Sequence, residues 1–126
     1  MKNNSFSFRK RLKSFRYAFN GIGLLFKQEH NSWIHCFAAI CAIIAGLLLD
    51  ISNIEWVAVA VVIGMVLSAE AMNSAIELIC DYICPEYHHQ MKQIKDLAAA
   101  AVLFTAIIAA VVGLIIFIPK LIPYFS

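Results

Sequence analysis

Charged side chains are scarce, making up 14% of the 126 residues against 62% that are hydrophobic. Soluble domains carry roughly a quarter charged and about half apolar residues, so a water-soluble globular domain is excluded. A soluble helical bundle of this size would also lack the polar surface to cover its helices. There is no GxxxxGK[ST] phosphate loop and no GxSxG elbow, and Gly21-Ile-Gly23 by itself signals nothing. A cleavable signal-peptide pattern is missing too. A charged segment of about thirty residues comes first, and the first apolar run contains His35 with no small-residue cleavage pattern after it. The first span is therefore expected to remain in the mature chain. Cysteines number four. Cys36 and Cys41 fall in the first span, and Cys80 and Cys84 lie toward the cytoplasmic end of the second, where disulfides are disfavoured. A zinc site from Cys80, Cys84, His88 and His89 is opposed by Pro85, which breaks the helix between the pairs, and by a spacing that matches no familiar zinc pattern.

What the chain does have is apolar length. Stretches at 33–49, 54–69 and 97–118 each approach the roughly 20 residues that cross a hydrocarbon core as a helix. The expectation is an all-α membrane protein of one domain, 1–126, with a surface helix over 1–30 and membrane helices over 33–49, 54–80 and 95–118. Basic residues set the orientation. Lys2, Arg9, Lys10, Arg11, Lys13, Arg16 and Lys27 precede the first span, and Lys92 and Lys95 lie between the second and third. The loop Asp50-Ile-Ser-Asn-Ile-Glu55 holds two acids and no base. By the positive-inside rule the N-terminus and the second loop are cytoplasmic. The formal charge of +2 thus reflects topology and calls for no nucleic-acid partner.

Phe8, Leu12, Phe15, Phe19, Ile22 and Phe26 alternate four and three apart, one apolar stripe of a helix whose other faces carry Arg9, Lys10, Lys13 and Arg16. A basic helix with an aromatic stripe suits an anionic membrane face. Gly21 and Gly23 are expected to loosen or end it before Glu29, and Asn31-Ser32 to cap the first span.

The second span carries the main anomaly. Glu70, Asn73, Ser74, Glu77 and Asp81 fall three or four apart and form one polar stripe. Helix rise sets Glu77 about 10 Å nearer the cytoplasm than Glu70, which places Glu77 at the headgroup level and Glu70 just inside the hydrocarbon boundary. A single Asn or Ser could serve as interhelical glue. Two glutamates and an aspartate are too expensive for that, so a functional site is the default. Glu77, with Glu29 arriving from the N-terminal segment, could hold magnesium together with phosphates. Lys95 and Asp96 open the third span on the same side, a cation for phosphate oxygens and an acid to orient partners, which are parts for phosphoryl transfer. Glu70, deeper, suits a general base for a hydroxyl presented from within the bilayer, and a lipid alcohol is the natural acceptor.

These residues carry a family resemblance. EAMNSAIELICDYICPEYHHQMKQIKDLAAAAV is similar to the signature of the prokaryotic diacylglycerol kinase family, E-x-x-N-[ST]-A-I-E-x-x-x-D followed by a K-D-x-x-x-A-A-V-type start to the last span. The match extends over nearly the whole chain, including the basic N-terminal helix and Glu29. The resemblance implies a small integral kinase that moves the γ-phosphoryl group of ATP to a lipid hydroxyl and works as a homotrimer sharing its sites between protomers. It puts the catalytic base on Glu70 with Asn73 beside it, and the magnesium-binding carboxylates on Glu29 and Glu77. Nucleotide contacts fall on Tyr17, Glu86, Tyr87, His88, Lys95 and Asp96, with Asp81 as a supporting acid and Lys10, flanked by Arg9 and Arg11, at the basic position that touches nucleotide and lipid. Enterobacterial diacylglycerol kinases have a serine shortly after the K-D pair and a tryptophan before the aspartate that ends the first span. Ala99 and Leu49 stand there instead. The Ile54-Glu55-Trp56 opening of the second span and the Gly113-Leu-Ile-Ile-Phe-Ile-Pro119-Lys120-Leu ending look closer to the undecaprenol kinases of Gram-positive bacteria, which favours a polyprenol acceptor. A different class of function, a proton or ion relay or a regulatory subunit of a membrane complex, would distribute ionisable groups across the bilayer. Here no acid lies in the outer half of the second or third span beyond the loop.

Overall fold

The computed structural model describes residues 7–125; Lys2 and the rest of the first six residues of the expected surface helix lie outside them. Four helices follow one another: α1 (Phe8–Gln28), α2 (His30–Leu49), α3 (Asn53–Ile83) and α4 (His89–Phe125). The last three are long and apolar enough to cross a membrane, as the sequence predicts.

Ser7 caps α1, its hydroxyl accepting from the Lys10 backbone N–H at 3.4 Å. The helix runs unbroken through Gly21 and Gly23, contrary to the expectation that they would end it. Each glycine costs only about 1 kcal/mol relative to alanine, too little to stop a helix that continues on both sides. The break comes at Glu29, whose backbone is extended (φ −114°, ψ 110°). The corner to α2 is held by Trp33, whose indole N–H donates to the Phe26 carbonyl at 2.7 Å while the two rings lie tilted with centroids 5.2 Å apart. α2 starts at His30, ahead of Asn31-Ser32, so the expected cap is a correction: the Ser32 hydroxyl is committed to Glu70 instead.

α2 ends on Asp50 in the left-handed region (φ 53°, ψ 56°), which aspartate visits more readily than most residues. The Asp50 and Ile51 backbone N–H groups both return to the Gly46 carbonyl. Ser52 and Glu55 then form a reciprocal capping box that starts α3. Gly46 is required here by close approach. A Cβ on it would come within 2.7 Å of the Trp56 ring and 3.0 Å of Ile51.

α3 and α4 pack along each other, with Ile51, Val59 and Ile116 forming the buried cluster near the α2–α3 loop. Two ion pairs mark the ends of this hairpin: Lys95 Nζ to Asp81 Oδ1 at 2.5 Å, and Lys120 Nζ to Glu55 Oε1 at 3.2 Å. Helix rise separates Glu55 from Asp81 by about 39 Å and Lys95 from Lys120 by about 38 Å, the matched lengths that antiparallel neighbours need. A hydrocarbon core is about 30 Å thick, so charges this far apart can both reach headgroup level on opposite faces. α4 extends beyond the expected end at 118, with Pro119 and Pro123 inside it. Each proline removes one backbone donor, a loss that membrane helices tolerate where neighbouring groups re-satisfy the carbonyls. Most apolar side chains of the three long helices face outward, among them Leu48, Phe104 and Ile115.

Candidate functional site

The polar stripe on α3 takes two environments. Glu70 is turned inward and is only 3% exposed. Its Oε2 accepts from the hydroxyl of Ser32, which is fully buried on α2. Its Oε1 lies 2.5 Å from His35 Nδ1, meeting it as an ion-pair contact rather than an aligned hydrogen bond. Ser32 and His35 sit three apart on α2 and so share the face that meets Glu70. Neither was singled out from the sequence: Ser32 reads as a cap and His35 as an interruption of an apolar run. The usable signal was two polar residues at helical spacing within a span, at a depth that pairs with the stripe on α3.

One turn nearer the end of α3, the second environment begins. Asn73 donates to Glu77 Oε1 at 3.4 Å, while the Asn73 carbonyl oxygen and the Ser74 hydroxyl are buried without partners. Glu29, at the α1–α2 corner, and Lys95, at the start of α4, both lie near enough to interact with Glu77 electrostatically. Beside them the Lys95 ammonium is bonded to Asp81. Asp96 is tied to Lys92 at 2.7 Å, one turn along α4.

The remaining expected residues stand apart. Lys10 and Tyr17 are exposed on α1, with Tyr17 about 18 Å along the helix from Glu29. Glu86, Tyr87 and His88 lie in the exposed link before α4 or beside it, where His88 Nδ1 accepts from the Gln90 N–H at 3.2 Å. Among the described residues, no hydrogen bond or ion pair joins these five to the carboxylate cluster within one chain.

The donor set at Glu29 and Glu77 can be tested against magnesium. Two neighbouring carboxylates repel each other unless a proton or cation lies between them. No third His, Cys, Asp or Glu among the described residues completes an all-protein cage. A hard cation that keeps waters and takes phosphate oxygens fits such a two-carboxylate site.

The polar stripe of this three-span protein thus holds a buried carboxylate, with two further carboxylates two turns nearer the helix end and lysines beside them. Comparison with known proteins gives the chain its family. The pattern of the prokaryotic diacylglycerol kinase family matches residues 16–117. The chain is 41% identical over 109 residues to the undecaprenol kinase of Bacillus subtilis, covering 86% of this chain and 89% of that one. It is 36% identical over 111 residues to a diacylglycerol kinase of Synechocystis (87% and 63%), and 31% identical over 111 residues to the diacylglycerol kinase of Escherichia coli K12 (88% and 91%). The chain belongs to the prokaryotic diacylglycerol kinase family and is a membrane lipid kinase. The relay and the regulatory subunit are not favoured.

Proposed function

We propose that the chain transfers the γ-phosphoryl group of ATP to undecaprenol, giving undecaprenyl phosphate, at a site on the cytoplasmic face of the bacterial cell membrane. The single observation that carries the chemistry is Glu70, a buried carboxylate about 10 Å deeper than the Glu29–Glu77 pair. Nucleotide must come from water and the acceptor from lipid, and this offset gives each its own carboxylate. Undecaprenol is preferred over diacylglycerol because Ala99 and Leu49 replace the serine and tryptophan of the enterobacterial enzymes, and because the Bacillus subtilis relative carries that name.

Glu29 and Glu77 would hold magnesium, which when bound neutralises phosphate charge. Lys95 presents its ammonium to phosphate oxygens, and Asp81 holds that ammonium in place from below. Asp96, Tyr17, Lys10 and the Glu86-Tyr87-His88 segment position the nucleotide. Glu70 takes the proton of the lipid hydroxyl as its oxygen attacks the γ-phosphorus and the bond to ADP breaks. Asn73, bonded to Glu77 and one turn from Glu70, links the two environments, and its free carbonyl oxygen can orient a substrate hydroxyl or a water. The active form is a homotrimer. It brings Lys10 and Tyr17 of one copy to the carboxylates of a neighbour and covers the outward apolar faces of the long helices. α1 lies along the membrane surface, with Phe8, Leu12, Phe15 and Phe19, all exposed, in the acyl boundary.

The test is side-by-side transfer of labelled phosphate from ATP to undecaprenol and to diacylglycerol in the same mixed micelles. A higher kcat/KM for undecaprenol is expected. A higher value for diacylglycerol reverses the acceptor assignment.

A further inference from the structure

His35 has no role in the reaction as described so far, yet its position is unusual. It stands in the first membrane helix, half-buried, with Nδ1 2.5 Å from a carboxylate oxygen of Glu70. At that distance the imidazole and the carboxylate are in direct contact, and a small rotation of either side chain would aim an Nδ1–H at Oε1. We propose that His35 is the positioning residue of the catalytic base: its Nδ1–H serves Glu70 Oε1 while the Ser32 hydroxyl serves Oε2. The proposal rests on Glu70 acting as the base.

A buried carboxylate without donors is costly in hydrocarbon, and one held by a single flexible hydroxyl can rotate. Held at both oxygens from one face of α2, the Glu70 carboxylate has a fixed plane. Each oxygen keeps a second lone pair, which is where a lipid hydroxyl can donate. No other ionisable side chain makes an ion pair or hydrogen bond with Glu70 among the described residues. His35 also lines the apolar groove of about 340 Å³ between α2, α3 and α4, with Val66, Leu67 and Ala106. The base is thus fixed beside an opening that lies within the membrane-spanning part of the fold. In the reaction the hydroxyl proton moves to Glu70 as the new O–P bond forms. The electron pair of the broken P–O bond leaves with ADP.

The experiment compares wild type, His35→Leu, His35→Asn, Glu70→Gln and the double variant His35→Leu/Glu70→Gln as full-length protein in mixed micelles. Leucine fits an apolar groove and offers no donor, whereas the asparagine amide can present an N–H near the place of Nδ1. His35→Leu is expected to lower the kcat of the folded protein about 10- to 100-fold, the range seen for partners that orient a working ligand, with KM for ATP unchanged whatever the change in thermal stability. His35→Asn should recover most of that loss. In the Glu70→Gln background, His35→Leu should add no further loss, because residues acting as a unit are non-additive. A purely structural His35 would move thermal stability instead and would add its loss independently. Wild-type kcat in His35→Leu beside an inactive Glu70→Gln overturns this proposal alone. Normal kcat in Glu70→Gln overturns the base assignment and this proposal with it.

Discussion

Glutamine at position 70 removes one property of the side chain and keeps the rest. Its carbonyl oxygen can still accept from Ser32, and its amide N–H can face His35 Nδ1 once the imidazole presents a lone pair there. Volume is conserved, so the buried contact between α2 and α3 should persist. A neutral amide is also cheaper in hydrocarbon than a carboxylate. Only the proton acceptor is lost. General-base contributions are about 10² to 10⁴ in rate, which at 1.36 kcal/mol per decade is about 3–5 kcal/mol of transition-state stabilisation. The assay takes thermal stability, oligomer size and initial rate of lipid phosphorylation from one preparation. Unchanged or higher stability, unchanged size, at least a 100-fold lower kcat and an unchanged KM for ATP are expected. Interhelical glue would give the reverse, with assembly damaged and the specific activity of the surviving protein intact. A well-assembled Glu70→Gln protein with near-normal turnover refutes the base assignment.

Glu29→Gln and Glu77→Gln should each raise the magnesium and ATP concentrations needed for half-maximal rate, with lipid KM little changed; normal activity at unchanged magnesium and ATP removes the metal assignment. Gly46→Ala should lower stability by about 1–3 kcal/mol, since the new methyl meets the rigid Trp56 ring at 2.7 Å, and thermal denaturation in detergent reads this directly. Crosslinking in detergent or bilayers should accumulate trimer, and a ladder that stops at monomer counts against shared sites.

The helices were legible because apolar length and three-four spacing act locally. Glu70, Asn73, Glu77 and Asp81 share a face of α3 wherever α3 is placed, so their grouping follows from sequence order alone. That Glu29 lies near enough to Glu77 to interact follows from a related fact: both sit at the same end of apolar runs whose lengths a bilayer fixes. Ser32 and His35 were not, because their partner is 38 residues away for one and 35 for the other, and nothing local says which face of α2 turns toward α3. The cap assigned to Ser32 failed on the same ground. A hydroxyl caps by accepting from a backbone N–H, but α2 already starts at His30, which puts Ser32 inside the first turn with its O–H donating to Glu70.

The two ends of the polar stripe on α3 have different surroundings. Glu77 lies at the helix end with Glu29 and Lys95 near it, so an added cation relieves an existing repulsion. Glu70 lies two turns deeper with both oxygens already engaged by α2, so nothing there calls for a metal. In the proposed reaction α3 therefore offers one place for charge to be neutralised and a second for a proton to be taken, about 10 Å apart along its axis. Phosphoryl transfer between water and lipid needs both, and needs them apart: a base at headgroup level would meet water before a lipid hydroxyl, and a metal at the depth of Glu70 would have to be dehydrated to reach it.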